Sequence, residues 1–397
     1  MWDVIIVGAG PSGLMAGVTL EKDLKVLIIE KNEMPGKKLL ASGGGRCNLT
    51  HTGELNNLFP RYNARGRYIK RALSLFDNRA LMDFFTTKGL SLTVEEGGRV
   101  FPASYRARDV LEVFLRELRI LNRRPRTGVK LRDFKRSDTG FTLITDGETL
   151  KSRYLVLATG GITYPTLGTT GEGHALARAT GHELVPTGYG LSSIRTLPGD
   201  FKTLQGLSLK AVKFHLYKNS KKFNTYRGDL LFTHEGLSGP GILSASRDFA
   251  VGDTLHLDLE PPEDLFRGSR NCLNSMKEII PASLGAWILE NSGIGEKAFF
   301  NQLGKKEKTA LLKNLSDGVY TILEIGGPFK SMVTTGGVSF KDVSLKTLES
   351  RKIPGLYFAG EVLDVDGESG GYNLQAAFSM GHLVAETLNQ RLKPLCD

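Results

Sequence analysis

The sequence predicts an α/β protein built on a split Rossmann-like domain whose parallel sheet is assembled from both ends of the chain. Three observations lead there. A short apolar run, Asp3 to Val7, passes directly into Gly8-Ala9-Gly10-Pro11-Ser12-Gly13 and then into a helical stretch from Ser12 to Lys22. A second apolar run, Lys25 to Ile29, ends on Glu30, which completes a β-α-β unit of about 30 residues. The same ending, an apolar run closed by glycine, recurs at Arg153–Ala158 with Thr159-Gly160-Gly161 and at Gly355–Ala359 with Gly360. Continuous apolar runs of this kind belong to strands buried on both faces.

The remaining elements follow in order. Met34 to Thr52 is glycine-rich and irregular, and the spacing predicts helices over Asp77–Lys88 and Asp109–Leu121. Lys130 to Asp146 alternates as a hairpin or meander. From Leu191 the period becomes two (Leu207/Leu209, Val212/Phe214/Leu216, Leu255/Leu257/Leu259), with a turn at Lys218-Asn219-Ser220, which predicts antiparallel sheet with one wet face. After Pro261-Pro262 come short helices, expected at Ala282–Glu290, Glu296–Leu303 and Lys305–Leu315. Beyond Tyr320 the chain is strand-like again. The expected division is residues 1–190 with 336–397 as the dinucleotide domain, 191–262 with 318–335 as a second, β-rich substrate domain, and 263–317 as a helical insert.

A chain of 397 residues, 40% apolar and 24% charged, is a folded protein of two or three domains. It contains no apolar run of membrane-spanning length, and its first strand begins too early to leave room for a secretory leader. Cys47, Cys272 and Cys396 are odd in number, far apart and outside any CxxC pair, and the seven histidines show no ligand spacing. These features predict a reducing, cytoplasmic setting and no metal centre. The net charge of +10 is clustered. Arg61, Arg65, Arg67, Lys70 and Arg71 occur without an intervening acid, and residues 99–136 hold 12 basic side chains against 4 acidic ones. Such clusters are either solvated faces or surfaces that bind a polyanion through counterion release.

The chemistry starts with GxGxxG. Gly8 permits the tight turn, Gly10 the approach of a pyrophosphate, and Gly13 close packing of helix on strand, while Glu30 can accept a ribose hydroxyl. The positive helix end favours the phosphates. Two later segments favour FAD over NAD. One is the strand ending Ala158-Thr159-Gly160. The other is Gly360-Glu361 followed by Gly370-Gly371-Tyr372-Asn373-Leu374, which reads as a helix start able to stabilise negative charge at the pyrimidine edge of a reduced flavin. No second GxGxxG follows a strand, so NAD(P)H would dock transiently as a reductant.

Four longer segments carry a resemblance: Gly36 to Thr50 (GKKLLASGGGRCNLT), Thr163 to Gly173 (TYPTLGTTGEG), Leu231 to Pro240 (LFTHEGLSGP) and Gly355 to Gln375. In these the chain resembles, over essentially its whole length, the bacterial BaiN/YhiN-like flavoproteins, also called aminoacetone-oxidase-family FAD-binding enzymes. The resemblance implies that the second domain is β-barrel-like and that FAD is tightly bound. Members have been assigned to reduction of uridine to dihydrouridine in ribosomal RNA, reduction of an unsaturated bile acid, and oxidation of aminoacetone. The expected cofactor contacts are Gly8, Gly10, Pro11, Ser12, Gly13, Glu30, Lys31, Lys38, Gly43, Gly44, Gly45, Arg46, Val129, Ala158, Thr159, Gly160, Gly360, Glu361, Gly371, Tyr372, Asn373 and Leu374. Reduction of a carbonyl-conjugated double bond also needs a donor for the carbonyl and a general acid. Arg46 offers a planar donor fork for a pyrophosphate or a substrate oxygen. Cys47 is either a thiol acid or a small residue packed beneath the cofactor. Tyr164 and His234 are further candidates for proton relay or substrate contact. The leading expectation is an NAD(P)H-driven FAD enzyme acting on uracil in ribosomal RNA, with basic segments 61–71 and 99–136 gripping phosphates. The rivals are a small-molecule flavin reductase or amine oxidase, and a non-catalytic flavin-containing RNA-binding factor.

Overall fold

The computed structural model describes residues 1–393, so Cys396 lies outside the described residues. The chain divides into two compact units, Met1–Tyr189 with the segment from Met332 onward, and Gly190–Ser331. Each has its own apolar core.

The first unit is built on a mixed sheet. Strand β1 (Trp2–Val7) lies between β2 (Val26–Ile29) and β8 (Thr149–Leu157), parallel to both, with Val7 opposite Ile29 and Leu157. The C-terminal strand β17 (Leu356–Phe358) adds in parallel to the last residues of β8, Leu155 to Leu157. The first residues of β8 pair instead with β7 (Gly140–Thr145), which turns back to β6 (Leu131–Ser137), so the alternating stretch is a meander. The predicted parallel sheet from both chain ends is therefore present. Its parallel stretches, Val4–Val7, Val26–Ile29, Leu155–Leu157 and Leu356–Phe358, are apolar without a break and buried throughout, as in a parallel sheet covered on both faces.

The first helix, α1 (Pro11–Thr19), ends earlier than its periodicity suggests. The buried guanidinium of Arg123 donates to the carbonyls of Gly17 (3.1 Å), Leu20 (2.6 Å), Glu21 and Leu24 (3.2 Å), closing the C-terminal end from 100 residues away. One residue of the basic segment 99–136 is thus a buried cap. The helices expected near 77–88 and 109–121 occupy Asn78–Thr87 and Ala107–Ile120. The C-terminal helix, Tyr372–Leu392, packs along α1; a Cβ on Gly381 would stand 2.2 Å from the Ser12 carbonyl oxygen.

The second unit contains a closed antiparallel barrel of β10 (Ile194–Leu197), β13 (Gly236–Ser238), β12 (Lys221–Phe232), β11 (Ser208–Lys218), β14 (Thr254–Asp258) and β15 (Gly318–Ile325). Phe214, Leu216, Leu255 and Leu257 point into its core, the alternation expected of half-buried strands. Helices Ala282–Asn291 and Lys305–Ser316 contribute Leu284, Ile288, Leu289, Leu311 and Leu315 to that same core, so the helical segment and the barrel form one body. The helix expected at Glu296–Leu303 is only a single 3₁₀ turn, Phe300–Gln302. The Ala298 carbonyl accepts from Cys272 N (2.8 Å), and the Phe300 ring stacks on Phe266 at 4.5 Å, so tertiary contacts displace the helical ladder.

Candidate dinucleotide site

The C-terminal ends of β1, β8 and β17 come together at three glycine turns. Gly8 has φ +105°, and a Cβ there would stand 2.4 Å from the Ala158 carbonyl oxygen; a Cβ on Gly13 would stand 1.9 Å from Gly8 O. The turn therefore packs only with glycine at both places. From the other chain end, a Cβ on Gly360 would stand 2.2 Å from Ser12 Oγ. The two ends of the polypeptide thus meet at the start of α1.

This edge fits a dinucleotide. No side chain caps the start of α1, its first N–H groups lack intrahelical acceptors, and a Cβ on Gly10 would meet nothing within 4 Å, so open space lies beside the turn. The hydroxyl of Thr159 is buried with no partner among the described residues. Glu30, 8% exposed, accepts from Ala9 N (2.9 Å), Asn32 N (2.9 Å) and Asn32 Nδ2 (2.7 Å), which braces the glycine turn against β2. Val129 N donates to Glu30 O (2.9 Å), bringing that segment to the same corner.

Lys31 turns away to other work. It pairs with Glu172 and donates to Thr170 Oγ1 (2.8 Å), while Lys130 reaches the other Glu172 oxygen at 2.6 Å. Burial raises the Glu172 pKa, but the hydrogen bonds and charges of Lys130 and Lys31 outweigh it and hold the carboxyl below its ordinary value. Lys38, on the short helix α2 (Lys37–Ala41), meets Glu361 at 2.7 and 3.0 Å and Thr163 Oγ1 at 2.8 Å.

The second helix start is also present. Gly371 (φ +94°) precedes Tyr372–Leu392, with no side chain capping the helix. Asn48, with its amide oriented to suit its neighbours, accepts from Gly371 N at 3.2 Å and so ties the SGGGRCN loop to this helix. The Tyr372 ring stacks on His51 (5.4 Å), and Asn373 closes its own loop through Gly367 N and O, both at 2.8 Å. Leu374 is half-buried. Gly160 lies against Thr169, and within the glycine run a Cβ on Gly44 would meet nothing within 4 Å.

The proton-donor candidates fare unequally. Cys47 is buried. Its side chain is 0% exposed within the core of the first unit, and burial pushes its thiol up to about 12, against a weaker opposing hydrogen bond with Ser42. Both features suit the second of the two readings, a small residue packed in the core. Arg46 is half-exposed, 3.6 Å from Glu95, with its guanidinium over the Phe101 ring at 5.1 Å. Tyr164 opens a short 3₁₀ turn with φ +57°, one residue after Thr163. His234 belongs to the second unit. It sits exposed at the tip of the β12–β13 connection, lining a cavity of about 430 Å³ with Arg195, Phe232, Glu324 and Lys330.

The basic segments are neutralised only in part. Arg61 pairs with Glu368 (2.9 Å) and Arg65 with Asp364 (2.9 Å), while Arg99, Arg106, Arg126 and Arg132 all have acidic partners. Arg67, Lys70, Arg71, Arg119 and Arg124 make no ion pair among the described residues. Asn32, Asn48, Thr163 and Glu172 were not foreseen. The last three lie inside the signature segments, yet each role depends on a partner that only the fold supplies. Among the described residues no cluster suits a metal ion, and no helix is long and apolar enough to cross a membrane.

A central parallel sheet with a glycine turn and a second helix start drawn from the far end of the chain defines a Rossmann-type flavoprotein, of the class that contains FAD-dependent oxidoreductases. Residues 2–387 match the family model for the HI0933-like protein Rossmann domain, and the chain belongs to that family. It is 31% identical to the ribosomal RNA dihydrouridine synthase of Escherichia coli (strain K12) over 399 residues, covering 98% of each chain. It is equally 31% identical to the 3-dehydro-bile acid delta(4,6)-reductase of Clostridium scindens over 407 residues, covering 97% of this chain and 98% of that one. Among solved structures it is similar in fold to a quinol fumarate reductase of E. coli (TM-score 0.54, 16% identity, covering 98% of this chain and 70% of that one). A 3-ketosteroid-delta4-(5alpha)-dehydrogenase from Rhodococcus jostii RHA1 is also similar in fold (TM-score 0.52, 14% identity, covering 99% and 97%).

Proposed function

We propose that this chain binds FAD at the edge formed by Gly8–Gly13, Glu30, Gly160 and Gly360, and uses it to reduce a carbon–carbon double bond conjugated to a carbonyl. Uridine in ribosomal RNA is the substrate and NAD(P)H the reductant in this reading. The observation that carries it is likeness over nearly the full length to two reductases, one named for dihydrouridine in ribosomal RNA and one for a bile acid. The common chemistry is addition of a hydride and a proton across a polarised double bond.

FAD supplies the hydride when bound. The chain's own residues have separate tasks. The start of α1 would hold the pyrophosphate, Glu30 would accept a ribose hydroxyl, and the positive end of the helix beginning at Tyr372 would stabilise negative charge on the reduced flavin. The proton-donor candidates of this unit are Tyr164 and Lys38, with Cys47 the buried alternative. The preference for RNA over a steroid rests on Arg67, Lys70 and Arg71, cations close in sequence and without ion pairs, which suit phosphate contacts. An RNA substrate and a nicotinamide reductant put the reaction in the cytoplasm.

The test is anaerobic. The yellow protein is bleached with NADPH or NADH, and ribosomal RNA from a strain lacking the gene is added. Return of the oxidised spectrum with formation of dihydrouridine supports the reading. The second reading, a small-molecule reductase, rests on the equal identity to the bile-acid enzyme. Reoxidation by an unsaturated 3-oxo-steroid but not by RNA would select it.

A further inference from the structure

Lys38 and Glu361 are 323 residues apart in sequence, yet four chain segments converge on them. Glu361 Oε1 accepts from Lys38 Nζ (3.0 Å), Thr334 N (2.6 Å) and Thr163 Oγ1 (3.3 Å), while Oε2 accepts from Lys38 Nζ (2.7 Å). Thr334 Oγ1 in turn accepts from Ile162 N (2.8 Å), and a Cβ on Gly161 would stand 2.0 Å from that oxygen. Carboxylate and ammonium are held in one geometry by groups that do not themselves ionise. Their side chains are 21% and 23% exposed, so the pair presents a face rather than lying sealed.

Its position follows from the tethers. Lys38 lies two residues beyond Gly36, whose N–H donates to Ala9 O (2.9 Å) in the glycine turn. Glu361 follows Gly360, which abuts Ser12. The pair is therefore fastened to the pyrophosphate turn from two sides. The adenosine corner is taken by Glu30, Asn32 and Val129. Thr334 instead is the second residue of β16 (Val333–Val338), where the chain re-enters this unit. Resting on the cofactor assignment above, we propose that the Lys38–Glu361 pair is a positioning device at the reacting end of the bound flavin. Lys38 presents a positive charge to it, and Glu361 sets how much of that charge the flavin feels.

Reduction by two electrons places negative charge on the flavin, so a nearby cation favours the reduced form and a nearby anion opposes it. Lys38→Gln leaves the Glu361 carboxylate uncompensated and lowers the midpoint potential; Glu361→Gln frees the ammonium and raises it. Each single change is expected to alter the reduced-to-oxidised ratio at a fixed potential at least tenfold, about 30 mV for a two-electron couple. The double variant, which removes both charges, should return most of the way to wild type, because the two shifts have opposite sign and nearly cancel. The measurement is a dye-equilibrated reductive titration of the holoprotein, read by flavin absorbance and independent of any substrate.

Shifts of opposite sign that cancel in the double variant support the proposal. Potentials within a few millivolts of wild type, shifts of one sign, or variants that lose flavin affinity at unchanged potential overturn it and make the pair a binding strut. If Lys38→Gln releases the flavin, Glu361→Gln decides alone, because the cation remains. Wild-type protein that stays colourless with FAD overturns this inference and the cofactor reading together, whereas failure with every RNA substrate leaves the potentials to stand by themselves.

Discussion

Glu30→Gln is the substitution that most directly weighs the nucleotide corner. The carboxylate accepts three hydrogen bonds, from Ala9 N on one side and from Asn32 N and Nδ2 on the other. A glutamine of the same shape has one acceptor atom. Turned toward Asn32, it sets an NH₂ group against the Ala9 N–H; turned toward Ala9, it faces two donors. Either way at least one buried donor loses its acceptor, at a cost of about 1–3 kcal/mol. The apoprotein should therefore melt several degrees lower. A ribose hydroxyl would meet a neutral acceptor in place of a charged one, and the glycine turn would be less well held. FAD should bind about 10- to 100-fold more weakly, since each 1.4 kcal/mol is a factor of ten. Thermal melts of the apoprotein and fluorescence titration with FAD separate the two effects. An unchanged melt would refute the bracing role. A lower melt with unchanged affinity would mean that Glu30 supports the turn without touching the ribose.

Cys47→Ala should keep both flavin and turnover, and lose about 1 kcal/mol of stability through a small cavity; loss of product with normal flavin content would restore the thiol to the chemistry. Replacing Arg67, Lys70 and Arg71 together by Gln should weaken RNA binding and flatten the slope of log affinity against log salt by up to about 3, with reduction by NAD(P)H unchanged. An unaltered slope would remove this segment from the interface. His382 is half-buried, its ring stacked on Phe76 at 4.4 Å, and desolvation pushes its pKa down to about 4. The unfolded chain takes up that proton near pH 6.5 and the folded chain only near 4, so stability falls as pH drops through this window, by up to about 3 kcal/mol at its lower end. His382→Phe should flatten the pH dependence of the melting temperature between 6.5 and 4; the same slope in both proteins would assign it to other groups.

The local features can be read from residue spacing alone. The β-α-β start, the glycine turns, the buried parallel strands and the change to period two after residue 191 are all legible, because they depend on side-chain spacing and on positions that only glycine fills. That Gly360 belongs to the same edge as Gly8 was legible too, as a repeated pattern of apolar strand followed by glycine. Folding sets the surroundings of the charges and of the thiol. Nothing near Cys47 in the sequence marks it as sealed. Nothing near Arg65, Arg126 or Lys31 identifies Asp364, Glu148 or Glu172 as its partner, and Arg123 reads as surface charge until α1 is placed beneath it. A side chain's spacing along the chain sets which element it joins. Its electrostatic and solvent environment comes from groups hundreds of residues away, and only folding brings those within reach.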